Sequence, residues 1–507
     1  MSTTCISPLS STVTLSNPDV SSLSTPPSSG SAPLLELPTE ILQYILKLVL
    51  TDDVSNDDVP LYFTQRMSLF KKNVLPTCQL FLDIGLSVLY AHVHIGHPRA
   101  FETFRHEIEH RPQLRSMVRS LDFSDFTSVG LGRTRKMNRE IQMVTSSTIS
   151  DALSKLPQLR EFLASEAIED DMSTDVLQRL FLISSLEAVD FCGASSRSFV
   201  SSFSKVMFHP ETLTNLTRVS FHGCVSLPAS SFTRLLPLLV SLTQLDLTYT
   251  QVTSSALISI PHTVQLTHLA LTKCRNLDPD ELTAFLTSHP AVTSGHFVWL
   301  SLHLSGLSEE NLTSVLLSLA ENSAHSLRHL SLYGLPVREF HLKLIPSSVV
   351  ELSLGSSDIN LETIITNFST RTNLRYLDLS GNKFLHLGAV QDMRLLSALP
   401  FIRTWEFDSS KILAKLVDLP VNGYTAVMGQ GRRAWLFKGV RKRELRHSAL
   451  DCTSPFGSAQ LCQHVLGKDM ASSQAWSGAS KKFDVAGSEY GGPLERGLYL
   501  YYGYRLG

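Results

Sequence analysis

One short frame recurs through most of this chain, and it constrains the fold more than any other feature. The frame is apolar-x-x-apolar-x-apolar. It begins at Val118, Leu159, Leu186, Leu216, Leu242, Leu266, Phe297, Leu327, Val349, Leu374 and Ile402. After a first gap of 41, the spacings are 27, 30, 26, 24, 31, 30, 22, 25 and 28 residues. A period of 20–50 residues is the signature of a stacked repeat architecture, in which each unit buries its apolar face only against its neighbours. Within the frame the apolar residues point inward, and the intervening residues line a shared face. The poorest copy is the one at Leu159, where Ala164 fills the last apolar place.

The ninth position of the frame supplies an independent check. There the strand turns away and leaves backbone polar groups that a small polar side chain can satisfy. Cys224, Thr250, Cys274 and Asn382 occupy it, whereas Ala194, Ser305, Leu335 and Ser357 depart from the pattern. The second half of each unit carries helical apolar spacing, as in Leu277, Leu282, Phe285 and Leu286 after Cys274. These features resemble the leucine-rich repeat, in its cysteine-containing subtype. The resemblance implies an α/β solenoid, a horseshoe of parallel strands and outer helices, here over residues 111–410. It also gives Cys224 and Cys274 a structural role.

A different pattern precedes the array. Leu37-Pro38-Thr39-Glu40-Ile41 opens a stretch with apolar residues at Ile41, Leu42, Ile45, Leu48 and Val49, one face of a helix. Pro38 suits a first helical position and Glu40 a first turn. Two further apolar stretches follow, 67–75 and 78–90, after an acidic linker. Leu37, Pro38, Glu40, Ile41 and Ile45 resemble the opening of an F-box, and Cys78, Phe81, Ile84, Leu89 and Tyr90 its closing segment. The stretch between residues 50 and 75 is longer and more acidic than the family pattern. With the repeats behind it, the chain resembles F-box/leucine-rich-repeat proteins, the substrate receptors of SCF ubiquitin ligases. The resemblance implies that Leu37, Pro38, Glu40, Ile41 and Ile45 bind the SCF adaptor subunit (S-phase kinase-associated protein), and through it a cullin. The array then holds the target, and no residue of the receptor does chemistry: no catalytic residue, cofactor or metal is expected. The alternative is a leucine-rich-repeat scaffold without adaptor binding, its first helices capping the solenoid.

Adjacent strands lie about 4.8 Å apart, so residues at equal frame position form columns. The third-position column reads Ala188, Arg218, Gln244, His268, Trp299, His329, Glu351, Tyr376. The seventh includes His222, His303 and Tyr333 beside a fifth of small residues and aspartates. Exposed aromatic and arginine side chains are enriched at interaction hot spots. Arg218, His268, Trp299, His329, Tyr333 and Tyr376 are therefore the expected contacts to a protein substrate.

The remaining segments are less specific. Residues 1–33 hold 11 Ser, 5 Thr and 5 Pro with one charged side chain, the composition of a disordered tail. Residues 34–110 are read as the F-box-like helical domain. Residues 411–507 break the repeat and are read as a capping segment of no recognised family. Within it, residues 432–447 carry seven Lys and Arg against one Glu, net +6, although the chain totals only −2. That near-neutral total speaks against a nucleic-acid-binding surface. No apolar run reaches the ~20 residues that span a bilayer. Seven scattered cysteines without a CxxC, and no signal peptide, fit the cytosol or nucleus. One metal motif is literally present: His106-Glu107-Ile108-Glu109-His110. Pro112 and the repeats leave no room for a protease around it. Its bland reading is a linking helix with Phe101, Phe104 and Ile108 inward. The pair His92 and His94 would share one face of a strand.

Overall fold

In the computed structural model the eleven frames become eleven strands of one sheet. The structure describes residues 33–51, 69–124, 126, 144–382, 394–402, 404–408, 424–428 and 433–438. The first strand, β1 (His92–His94), comes before any frame. It is followed by β2 (Ser120–Asp122), β3 (Glu161–Leu163), β4 (Ala188–Asp190), β5 (Arg218–Ser220), β6 (Gln244–Asp246) and β7 (His268–Thr272). Then come β8 (Trp299–His303), β9 (His329–Ser331), β10 (Glu351–Ser353), β11 (Tyr376–Asp378) and β12 (Thr404–Asp408). These strands pair in chain order and in parallel, each with the next. The chain is thus an α/β leucine-rich-repeat solenoid. Each of β2 to β12 starts at the third frame position. The expected columns are consequently real neighbours: Gln244 pairs with His268, His268 with Trp299, Trp299 with His329 and Glu351 with Tyr376. The final edge is covered by an antiparallel pair, β13 (Tyr424–Met428) and β14 (Arg433–Lys438), with β14 against β12. The pair extends the sheet, and β13 becomes its outermost strand. Most of the expected 1–33 and 411–507 segments, with Cys5, Cys452, Cys462 and the basic run beyond Lys438, lie outside the described residues.

Helices return the chain on the outer side, and their ends are satisfied locally. In the helix Pro279–Ser288, the Asp278 carboxylate accepts from the backbone N–H of Asp280 and Glu281 at 3.0 and 2.9 Å. Pro279 sits where a missing N–H costs nothing. Leu282, Phe285 and Leu286 face the sheet. One apolar core runs the length of the array, from Val93 to Leu436. Its middle is a phenylalanine spine. Phe191 and Phe221, at the same frame position in successive units, stack at 5.7 Å, and Phe203 touches both edge-on.

The ninth frame position works as the sequence implies. The Cys224 thiol donates to the Phe191 carbonyl at 3.1 Å, and the Cys274 thiol to the Leu247 carbonyl at 3.0 Å. Asn382 donates to the Ile359 carbonyl at 2.9 Å. Burial pushes the Cys274 thiol up to about 12, so it stays protonated and donating. The eighth position carries a regularity the sequence reading missed. It is left-handed at Gly193, Gly223, Tyr249, Lys273, Gly334, Ser356 and Gly381. At Gly223 φ is +76°, a conformation that glycine adopts freely and other residues do not. The repeated glycine one place before the polar residue was the available signal.

The N-terminal unit has a separate core. Helix α1 (Thr39–Thr51) and helix α2 (Gln79–Ala91) enclose Leu42, Leu46, Leu50, Phe70, Leu75, Ile84 and Val88. A π turn, Phe70–Val74, and a 3-10 turn, Leu75–Thr77, lead into α2. Gln43 Nε2 donates to Ser87 Oγ at 3.0 Å and ties α1 to α2. Helix α3 (Pro98–His110) instead buries Phe101, Phe104 and Ile108 in the core of the array, as does β1 with Val93. The two cores therefore divide near residue 91. The reason is that Phe101, Phe104 and Ile108 stripe one side of α3, and the nearest apolar surface for that stripe is the first repeat.

Candidate interaction surfaces

Two surfaces combine chemistry with position: the outer side of α1 and the concave side of the sheet. On α1 the buried stripe is Leu42, Leu46 and Leu50, spaced four apart. The sequence reading had grouped Ile41, Leu42, Ile45, Leu48 and Val49 on one face of the helix; the structure buries Leu42 and leaves Ile41 and Val49 exposed. The structure differs because the segment is apolar almost all round, so periodicity alone does not choose a side. What remains outside is apolar. Ile41 is 47% exposed and Tyr44 60%, with Leu34, Leu35, Leu37 and Val49 exposed and Ile45 half-buried. Pro38 and Glu40 are also exposed, at the start of the same helix. Of the five residues expected to bind the adaptor, Leu37 and Pro38 lead into α1, Glu40 and Ile41 open it and Ile45 lies near its middle. A cluster of exposed large apolar side chains on a unit that already has a core marks a contact surface.

The concave side behaves in the opposite way. Here the expected ridge is present in register but is largely buried. Trp299 is 3% exposed, His329 2% and Tyr376 1%, so these three are not the open anchors that the sequence suggested. Trp299 lies between two imidazoles: the His329 ring stacks on it at 3.5 Å and 10°, and the His268 ring lies at 6.2 Å and 22°. Trp299 also forms a small apolar cluster with Ala270 and Leu163. Leu163 stands four strands before Ala270, so curvature of the sheet brings together residues that a flat column diagram separates. Arg218, His268 and Tyr333 are the expected contacts that stay partly open.

Polar groups on this side are held in a dense network. His329 Nδ1 bonds Glu351 at 2.9 Å and His222 Nδ1 bonds Asp246 at 3.0 Å. Arg218 pairs with Glu161 at 2.9 Å, and the Tyr376 hydroxyl donates to Glu406. Asp378 accepts from the Ser380 N–H and hydroxyl at 2.9 and 2.6 Å, and from the Ser353 hydroxyl at 2.6 Å. Tyr333 packs on the His303 ring at 5.7 Å, while His303 Nδ1 bonds the Tyr333 carbonyl at 2.7 Å. Burial, with a smaller push from the nearby His329, pulls His268 down to about 4. The imidazole is therefore neutral at physiological pH.

The HExxH segment lies on exposed turns of α3. His106 and His110 stack at 4.0 Å, and His110 Nδ1 bonds the His106 carbonyl at 2.8 Å. Among the described residues no third ligand gathers with them. The group that does gather, His92, His94 and Asp122, spans β1 and β2. Among the described residues, no helix is long and apolar enough to cross a membrane, and Cys78, Cys192, Cys224 and Cys274 are free thiols.

Fold and surfaces together define a leucine-rich-repeat solenoid that carries a small helical unit with an apolar outer side. The known proteins that it resembles make this more particular. No family model matches the chain. It is similar to a curated relative, the F-box protein YLR352W of Saccharomyces cerevisiae, with 26% identity over 443 residues. The match covers 75% of this chain and 55% of the relative, so the chain spans about half the length of the relative it matches. Among solved structures, it is similar to the Rad7 and Elc1 complex of yeast at 13% identity and TM-score 0.35, over 64% of this chain and 92% of that one. It is also similar to an internalin of Listeria monocytogenes at 12% identity and TM-score 0.28, over 53% and 91%. The resemblance to F-box/leucine-rich-repeat proteins is thus met by the repeat fold and by a relative of F-box name.

Proposed function

We propose that this protein is a non-catalytic substrate receptor of an SCF ubiquitin ligase. Its α1 end binds the SCF adaptor subunit, and through it a cullin; its concave side holds a protein target. The observation that carries this reading is the pair of apolar sides on α1. Leu42, Leu46 and Leu50 already complete a core, yet Leu34, Leu35, Leu37, Ile41 and Tyr44 remain outside it. An unpartnered apolar strip of this size is costly unless something covers it. The relative named as an F-box protein supports an adaptor as the partner. Leu37, Pro38, Glu40, Ile41 and Ile45 are the proposed contacts, with Tyr44 added from its exposure. For the target, Arg218, His268 and Tyr333 are the proposed direct contacts. Trp299, His329 and Tyr376 act as the packed support that fixes them. The free thiols, of which Cys192, Cys224 and Cys274 are buried, are in keeping with a reducing compartment, the cytosol or nucleus.

The test is reconstitution. Purified protein mixed with SCF adaptor and cullin is expected to elute as one complex on size exclusion. Leu37→Ala/Pro38→Ala is expected to elute alone while keeping the wild-type melting temperature. If the wild type forms no complex, the scaffold reading replaces this one.

A further inference from the structure

We infer that His92, His94 and Asp122 form a divalent transition-metal site, suited to zinc, at the junction between the helical unit and the array. Alternation along β1 puts His92 and His94 on one side of the strand. The register pairs His94 directly with Asp122 on β2, and Ile95 N–H bonds the Asp122 carbonyl at 2.7 Å, which fixes the two strands. Asp122 Oδ2 lies 3.3 Å from His92 Nε2 and 3.6 Å from His94 Nδ1. All three ligand atoms fall within 4.8 Å of one another.

These separations can be set against two chemistries. A charge-assisted hydrogen bond between imidazole and carboxylate closes to about 2.7–2.9 Å. Two ligand atoms on one tetrahedral zinc, each about 2.0–2.1 Å from the ion, stand about 3.3 Å apart. The 3.3 Å pair has the zinc spacing, and the 3.6 Å pair lies a few tenths of an ångström beyond it. The other carboxylate oxygen is held separately: Asp122 Oδ1 accepts from the Ser124 N–H at 2.9 Å and from the Ser124 hydroxyl. That arrangement aims Oδ2 at the imidazoles, as an outer hydrogen bond does for a metal-binding carboxylate. His92 and Asp122 are buried and His94 is only partly so, which gives an ion a route in on the His94 side. Helix α2 ends at Ala91, immediately before His92. An ion here would bridge the first two strands of the array, one residue past the end of α2. At His106 and His110 the neighbouring carboxylates turn elsewhere, Glu107 to Arg111 and Glu109 to Lys155.

The full-length protein, stripped with a chelator, is titrated with zinc chloride in a calorimeter, and bound zinc is counted by emission spectroscopy. One zinc per chain is expected, with a raised melting temperature. His94→Ala and Asp122→Asn are each expected to weaken binding by at least about tenfold and to abolish that rise. His94 is partly exposed, so its variant should keep the metal-free melting temperature; Asp122→Asn retains the oxygen that Ser124 bonds. His106→Ala/His110→Ala should bind zinc as the wild type does. The inference is overturned if the wild type retains no zinc, if both site variants bind it equally well, or if only the His106/His110 variant loses it.

Discussion

The helical unit and the repeat array depart from the usual inside-outside rule in opposite directions. On α1, Ile41 and Tyr44 stay in solvent although a core lies one helix-width away. On the concave side, Asp122, Asp190, Asp246 and Asp378 are buried although the sheet is lined by polar positions. The contrast teaches that burial here follows architecture more than residue type. A helix of 13 residues has one inward stripe and leaves everything else outside, however apolar. A curved sheet crowds its inner side, so side chains there lose water, and the polar ones must find partners. Apolar exposure in the first region and polar saturation in the second are therefore different kinds of signal. The first asks for a partner; the second mostly holds the array together.

Each half of that contrast can be broken by substitution. The largest effect is expected in the core that both surfaces depend on. Phe203 contacts Phe181, Phe191, Phe208 and Phe221. Phe203→Ala is expected to cost about 3–5 kcal/mol in urea-unfolding experiments, through a cavity that the stacked strands cannot close. Next comes pH. His268 titrates near 4 in the fold and near 6.5 unfolded. The unfolded chain therefore binds the extra proton first, and stability falls as pH drops from 6.5 to 4, by up to about 3 kcal/mol. His268→Asn should reduce that fall, leaving the part that comes from His289, His303 and His341, which burial also lowers. If the wild type is equally stable at pH 7 and 4.5, His268 is not held neutral. A smaller loss, about 1–3 kcal/mol, is expected for Asp378→Ala in the same unfolding assay. It leaves the Ser380 N–H and the Ser353 and Ser380 hydroxyls without their acceptor. If it cost nothing, the buried polar side would not be a stabilising network.

Much of this was readable from the chain. The frame fixed the period, and because a strand has a strict alternation, it also fixed which residues are neighbours across the sheet. Trp299 was correctly set between His268 and His329 on that basis. Its burial was not readable, because a list of columns contains no curvature and cannot bring Leu163 to Trp299. Strand β1 was missed as a strand of the array since His92-Val93-His94 lacks the leucine frame. The single apolar face read for α1 divides in the structure, because seven apolar residues in ten positions satisfy more than one helical stripe. The outer helical faces, by contrast, were legible wherever Leu and Phe alternate with Ser, Thr and charge, as in Pro279–Ser288.

The smallest expected change in stability accompanies the largest expected change in binding. Ile41 and Leu317 are similarly exposed apolar residues, one on α1 and one on an outer helix of the array. The most direct measurement is the affinity of purified SCF adaptor for wild type, Ile41→Asp and Leu317→Asp, with urea unfolding of all three. The account predicts unchanged stability within about 0.5 kcal/mol for both variants. It predicts binding reduced at least about a hundredfold, roughly 2.7 kcal/mol, for Ile41→Asp alone. Equal adaptor binding by Ile41→Asp and wild type would contradict it.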